Sequence, residues 1–244
     1  MNEENKSYIA GIYNYCDRWC EKCKFISHCL LFTNESKIVT QEILKPGESL
    51  DIEKIFNMNF GSYSDELEVE IFEQTSEDEE PINADSEDNT EINKHPLSKL
   101  ADEFFLGSHL LIKRMDERYN FYALSNKRQI DPLFNKLFEE FEKFVWFHSL
   151  IVAKVKRAVS GKIEMLRDDD EAMINIREYD INGSAKISVI ALGKIIKALN
   201  KLFNKMPEFK NDILSILVFA GELLNMIEIE FPGYNSFIRP GFDE

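Results

Sequence analysis

Glycine and proline are scarce in this 244-residue chain, ten and seven respectively, too few for the closely spaced turns of an all-β sandwich or barrel. Long apolar runs are missing as well. The longest, around Ile213–Ala220, is broken by Ser215 and followed by Gly221 and Glu222, well short of the roughly 18 residues that cross a membrane. The opening MNEENKSYIAGIYNYCDRWC has no basic stretch leading into an apolar one. A secretory signal is therefore not expected, and the cytoplasm, where thiols stay reduced, is. Basic side chains are outnumbered, 29 Lys and Arg against 44 Asp and Glu, for a formal charge of −15. A surface of that sign repels phosphates, so nucleic acid is not an expected partner. Neither a phosphate-binding glycine motif nor a nucleophile elbow occurs.

What is present is a composition that folds. Hydrophobic residues make up 44% and aromatics 12%, enough to bury a core, and their spacing is helical. His95 and Pro96 open a helix whose apolar positions are Leu97, Leu100, Phe104, Leu111 and Met115, with the proline suited to the first turn. Asp131–Pro132 start a second, with Phe134, Leu137, Phe138, Phe141, Val145, His148, Val152, Val155 and Val159 in one stripe and Gly161 as its end. Ser184–Phe203 reads as a third, burying Ile187, Ala191, Ile195, Leu199 and Leu202. The fourth, Asp212 to about Ile229, is apolar nearly all round and is expected to be central. The fold class is thus all-α, a bundle of about four long helices over residues 95–244. Residues 1–35 form a cysteine-rich element and 36–73 a mixed connection, with a turn at Pro46–Gly47 and a short helical pattern over Leu50–Phe60.

The acidity is local. Asp65–Glu91 holds thirteen acids and no Lys or Arg, while the rest of the chain holds 29 basic and 31 acidic side chains. Dense like charge cannot bury enough apolar surface to order itself, so residues 74–94 read as a solvated acidic linker. One basic surface could receive it: Lys194, Lys197, Lys201 and Lys205 are spaced 3, 4 and 4 residues apart and share a helix face. The plainer reading is the charged outer face of an amphipathic helix.

All four cysteines lie within fourteen residues, CDRWCEKCKFISHC, in a C-x3-C-x2-C-x5-C run. Buried cysteines used as apolar filler would be scattered; such crowding points to a metal centre held by Cys16, Cys20, Cys23 and Cys29. If Tyr8–Glu21 is helical, Cys16 and Cys20 lie one turn apart on one face and Cys23 follows where the chain curls back. Thiolate-only sites select zinc or iron–sulfur clusters over hard ions. Zinc sites usually pair two C-x2-C knuckles, and only one occurs here, which favours a [4Fe–4S] cluster, with zinc as the alternative. His28, beside Cys29, is a further candidate ligand. Trp19, Phe25, Tyr13 and Tyr15 could shield a cluster from water, and Arg18, Lys22 and Lys24 could offset its negative charge.

The CEKCKFISHC portion resembles the last three ligands of the [4Fe–4S] loops in endonuclease-III-type DNA glycosylases and in iron-staple nucleases. The resemblance implies ligand chemistry alone, because no glycosylase hairpin signature or nuclease carboxylate–lysine motif accompanies it. Cys16, Cys20 and Cys23 also spell the C-x3-C-x2-C of radical S-adenosylmethionine enzymes, but Lys22 stands where that family has an aromatic residue and Cys29 can fill the open iron. Over most of its length, through YIAGIYNYCDRWCEKC, DINGSAKISVIAL and IRPGFD, the chain looks like a family of uncharacterised bacterial proteins. That likeness implies that the cysteines and the helical part belong together.

Of the histidines, His148 lies on the inward stripe of the second long helix and reads as a satisfied core residue, with a ligand or proton-transfer role as the alternative. His109 borders an apolar stripe and has no second ligand at a telling spacing. Glu178, Asp180, Asn182 and Gly183 match four EF-hand positions, but Val189 occupies the place of the bidentate glutamate, so an Asn-Gly turn before a Ser-capped helix accounts for them better. Asp168, Asp169, Asp170 and Glu171 read as a solvated loop. A chain with about 150 residues of amphipathic helix does not need a metal to reach roughly 5–15 kcal/mol of stability. The expectation is a metal-binding helical protein in electron transfer or redox sensing, with an electron-transfer or protein partner. The alternative is a zinc-stapled protein–protein interaction module regulated by the acidic tether.

Overall fold

The computed structural model describes residues 7–43, 87–124 and 132–243. The chain forms two units, one of Met1–Asn14 with Arg18–Asn83 and one of Tyr15–Asp17 with Ala84–Glu244. Among the described residues every regular element is helical and there is no strand, as the apolar periodicity requires. No helix among them is long and apolar enough to cross a membrane.

In the first unit, helix α1 (Leu30–Ile43) follows three short 3-10 turns at Ile12–Asn14, Cys20–Lys22 and Ile26–His28. The α-helix over Tyr8–Glu21 that would set Cys16 and Cys20 one turn apart does not form. Gly11 and Arg18 have φ near +70° and +56°, left-handed conformations that no α-helix contains. The turn expected at Pro46–Gly47 and the helical pattern over Leu50–Phe60 lie outside the described residues.

The second unit is an up-down-up-down bundle. Its long helices are α3 (Pro96–Tyr119), α5 (Pro132–Met165), α6 (Glu171–Lys205) and α7 (Lys210–Glu230), with short helices α2 (Glu87–Lys94) and α4 (Phe121–Leu124) beside them. Short connections make α5–α6 and α6–α7 antiparallel neighbours. Arg114–Asp212 at 2.9 Å and His95–Glu230 at 3.6 Å align α3 antiparallel to α7 and close the ring. The core is dominated by fully buried Phe104, Phe121, Phe141, Phe144 and Phe147, each contributing about 1.5–3 kcal/mol by leaving water. Helix starts follow ordinary capping logic: the His95 ring accepts from Leu97 N at 3.3 Å ahead of Pro96, and Asp170 accepts from Ala172 N at 2.8 Å.

Four expectations for the long helices change. Helix α5 does not end at Gly161 but runs to Met165; a Cβ at Gly161 would stand 2.9 Å from Ile181 Cγ1, so this glycine admits α6 rather than stopping α5. Helix α6 is continuous from Glu171, so Asn182–Gly183 is helix and not turn, and Asp170 is its cap. On α5 the buried stripe is broader than expected, because Phe144, Phe147 and Ile151 are buried while Val145 and Val152 are only half-buried; α5 packs on α3 and α6 at once. Helix α7 buries one face, Ile213, Ile216, Ala220, Leu223 and Ile227, and leaves Leu214, Val218 and Ile229 exposed, so it is a wall of the bundle and not its centre. The acidic linker also stops short of residue 94. Glu87–Lys94 is α2, where Arg167 meets Glu91 at 2.8 Å and Lys156 meets Asn93 at 3.0 Å; residues 74–86 lie outside the described ones.

Candidate metal-binding loop and its anchor

Cys20, Cys23 and Cys29 belong to the first unit, and all four cysteines are half-buried. Cys23 and Cys29 share one local construction. Each follows a 3-10 turn, takes an extended backbone and donates its N–H back into that turn, to Cys20 O at 3.1 Å and to Ile26 O at 3.4 Å. Each sulfur then accepts a backbone N–H from further along the chain: Phe25 N at 3.4 Å on Cys23 Sγ, and Phe32 N at 3.5 Å on Cys29 Sγ. A neutral thiol is a weak acceptor, and the same N–H groups gain strength when the sulfur is a charged ligand.

The loop is braced within its own unit. Ile9 N donates to His28 O at 3.1 Å, and His28 Nδ1 lies 3.1 Å from Ser7 O, so His28 fastens the segment at Ser7–Ile9. Lys22 Nζ stands 3.7 Å over the ring of buried Trp19, and Lys24 Nζ stands 4.6 Å over Phe25. Two of the expected cations thus sit against two of the expected shielding aromatics. Among the described residues no group of three or more His, Cys, Asp or Glu side chains stands together in a way that could hold a metal ion.

Tyr15–Asp17 carries Cys16 into the second unit and is held there from both sides. Tyr15 is 5% exposed, packed with Ile187 and Phe237. Its ring meets Phe237 and Tyr179 edge-on at centroid distances of 4.8 and 5.7 Å, and its hydroxyl donates to Asp180 Oδ1 at 3.0 Å. Arg157 grips the same carboxylate with Nε at 2.8 Å and Nη2 at 2.6 Å, the bidentate geometry that suits guanidinium to carboxylate. Burial first, and the neighbouring Asp180 charge second, push the Tyr15 phenol well above its ordinary value. Beyond Cys16, Lys194 reaches Asp17 at 2.6 Å, and Trp146 Nε1 donates to Asp17 O at 2.8 Å.

The C-terminal segment completes this anchor. Lys186 on α6 donates to Phe237 O and lies 3.1 Å from Asp243, whose carboxylate also pairs with Arg239 at 2.7 Å. Bonds from Arg239 hold Asp243 below the usual carboxylate range in spite of burial, with Lys186 assisting. Tyr15, Asp180, Gly183, Lys186, Arg239 and Asp243 come from the three stretches YNYCDRW, DINGSAK and IRPGFD. Sequence reasoning grouped these stretches by likeness alone and named none of the contacts. One signal was available: Asp180, Gly183 and Ile187, at intervals of three and four, share a helix face if α6 is read through Asn182–Gly183.

The lysine face is partly engaged. Lys194, besides meeting Asp17, lies 4.5 Å over the Phe147 ring, and Lys201 pairs with Glu140 at 2.7 Å beside Lys143 at 2.9 Å. Burial alone would raise the Glu140 carboxyl, but Lys201 and Lys143 bring it below its ordinary value. Lys197 and Lys205 are exposed. The four-lysine docking surface for an acidic tether is therefore reduced by half.

His148 is 7% exposed and stacked on Phe105 at 5.1 Å, with the His109 ring 6.1 Å away. Its Nδ1 meets Val145 O, as a donor if that nitrogen carries the proton. Burial lowers the imidazole below its ordinary value, His109 adds to this, and the bond to Val145 opposes it. The folded state therefore resists a proton that the unfolded chain accepts near pH 6.5, so stability is complete above about 6.5 and falls as pH drops further. His148→Phe should flatten the fall in Tm between about pH 6.5 and 5; a parallel fall in both proteins would remove His148 as its source.

Comparison with protein-family models, curated proteins and solved structures finds no significant match. The functional reading rests on the residues themselves.

Proposed function

We propose that Cys16, Cys20, Cys23 and Cys29 bind one metal centre, preferentially a [4Fe–4S] cluster, and that the protein serves in electron transfer or redox sensing. The observation that carries this reading is the repeated local geometry of Cys23 and Cys29, where a backbone N–H is aimed at each sulfur. Hydrogen bonds to ligand sulfurs are a principal means by which a protein sets a cluster's potential. A bound cluster would supply one-electron transfer. Lys22, Lys24 and Arg18 lie among the cysteines in the sequence and offer positive charge, and Tyr15 and Asp17 fix the backbone on both sides of Cys16. Because thiolate sites commonly converge only as the metal binds, ligand gathering and local ordering of the loop are one event.

Protein purified without oxygen should be brown and contain iron with acid-labile sulfide, and Cys23→Ser should lose both. Colourless protein holding one zinc would overturn the cluster and leave the zinc-stapled module. Protein that holds no metal when purified without oxygen would overturn the centre itself.

A further inference from the structure

Helix α3 carries an outward stripe unrelated to the cysteines. Lys99, Glu103, Leu106, Leu110, Lys113 and Glu117 are spaced 4, 3, 4, 3 and 4 residues apart and are all exposed. That is the spacing of a heptad seam, by which one helix packs on another, here with an aliphatic pair at its centre and charges at both ends. Its centre is aliphatic and wet, with Leu106 59% and Leu110 53% exposed. On the adjacent α7, Leu214 and Val218 are 48% and 61% exposed. The Arg114–Asp212 and His95–Glu230 pairs place that second exposed pair alongside the middle of α3.

The charges on the stripe identify the occupant. Leu106 and Leu110 each lie two residues from Ser108, Glu103 and Lys113 five, and Lys99 and Glu117 nine. Every position on one side of Ser108 is matched on the other by its complement, aliphatic to aliphatic and acid to base. We propose that this face binds a second copy of the chain, α3 against α3 in antiparallel orientation about a two-fold axis at Ser108. Leu106 then opposes Leu110 of the copy, Glu103 opposes Lys113, and Lys99 opposes Glu117, each twice by symmetry. A parallel pairing would instead set Lys99 on Lys99 and Glu103 on Glu103. A self-complementary patch on a two-fold closes as a dimer and leaves no open end for further growth.

Sedimentation of the full chain over about 1–100 μM should show a species of twice 28.5 kDa, a range within reach of weak specific association. Leu106→Glu with Leu110→Glu should give a monomer with unchanged far-UV circular dichroism, since both side chains are exposed. Glu103→Lys should weaken the dimer about tenfold at low salt by opposing like charges. Adding Lys113→Glu to the same chain should restore it. A wild type that stays monomeric throughout, a dimer that survives the glutamate pair, or a charge reversal that fails to restore association each overturns the proposal. So does a monomer destabilised by the glutamate pair, because the face would then be covered by another segment of the same chain.

Discussion

Gly183→Val is expected to lower Tm by about 6–12 °C and to open the Cys16 thiol to chemical modification. A Cβ at Gly183 would lie 2.3 and 2.4 Å from Tyr15 ring carbons and 2.8 Å from Phe237 Cζ, so the ring has to move. It has nowhere nearby to go, with Phe237 on one side, Tyr179 on another and its hydroxyl tied to Asp180. Overpacking a tight site costs about 1–3 kcal/mol and more where the neighbours are pinned. A cost of about 3 kcal/mol, at 2–4 °C per kcal/mol for a chain of this size, gives the stated shift. Tyr15 precedes Cys16 directly, so a displaced ring loosens the backbone that holds the thiol. Gly193→Val in the same helix is the control, because the added carbon meets nothing within 4 Å; it should change neither readout. Equal effects at the two glycines would refute the view that Gly183 exists to seat Tyr15.

That glycine also marks where the sequence stopped being legible. The four long helices were readable because apolar residues recur with a helical period. The third helix's expected inward set, Ile187, Ala191, Ile195, Leu199 and Leu202, is buried throughout. What failed was punctuation. Asn182–Gly183 carries a strong local turn signal, and Gly161 a strong stop signal, yet both lie inside helices. In each case a glycine was needed by a partner, Tyr15 or Ile181, that local sequence does not reveal. The outward aliphatics of α7 misled for a related reason. Periodicity reports how much of a helix is apolar, but not whether the rest of the chain supplies enough neighbours to cover it. For the cysteines, spacing named the donors and their chemistry. It did not foresee the paired N–H contacts on Cys23 and Cys29, which depend on two short turns, nor that Tyr15 is held by residues 164 to 222 positions away, from Tyr179 to Phe237.

Asp180→Ala should cost about 2–3 kcal/mol, more than either of the milder changes at the same junction. It strands the buried Tyr15 hydroxyl, and an unsatisfied buried donor costs about 1–3 kcal/mol. The loss of the Arg157 contact adds less than about 1 kcal/mol, because that side chain is 45% exposed and water can take over its solvation. Asp180→Asn keeps an acceptor for Tyr15 and discards the negative charge that faces Arg157, so about 1 kcal/mol is expected. Tyr15→Phe keeps the Arg157–Asp180 pair and loses one hydrogen bond, again about 1 kcal/mol. Chemical denaturation of the three variants separates the hydroxyl from the charge: Asp180→Ala no worse than Asp180→Asn would mean that Tyr15 is held by packing alone. The same contact sets an alkaline limit. Since the folded phenol is raised above the value near 10 that it has when unfolded, the stabilisation is complete below about pH 10 and is lost as pH climbs toward the folded value. Wild type should therefore lose stability more steeply than Tyr15→Phe above about pH 10, the two curves converging as the tyrosine's advantage is titrated away.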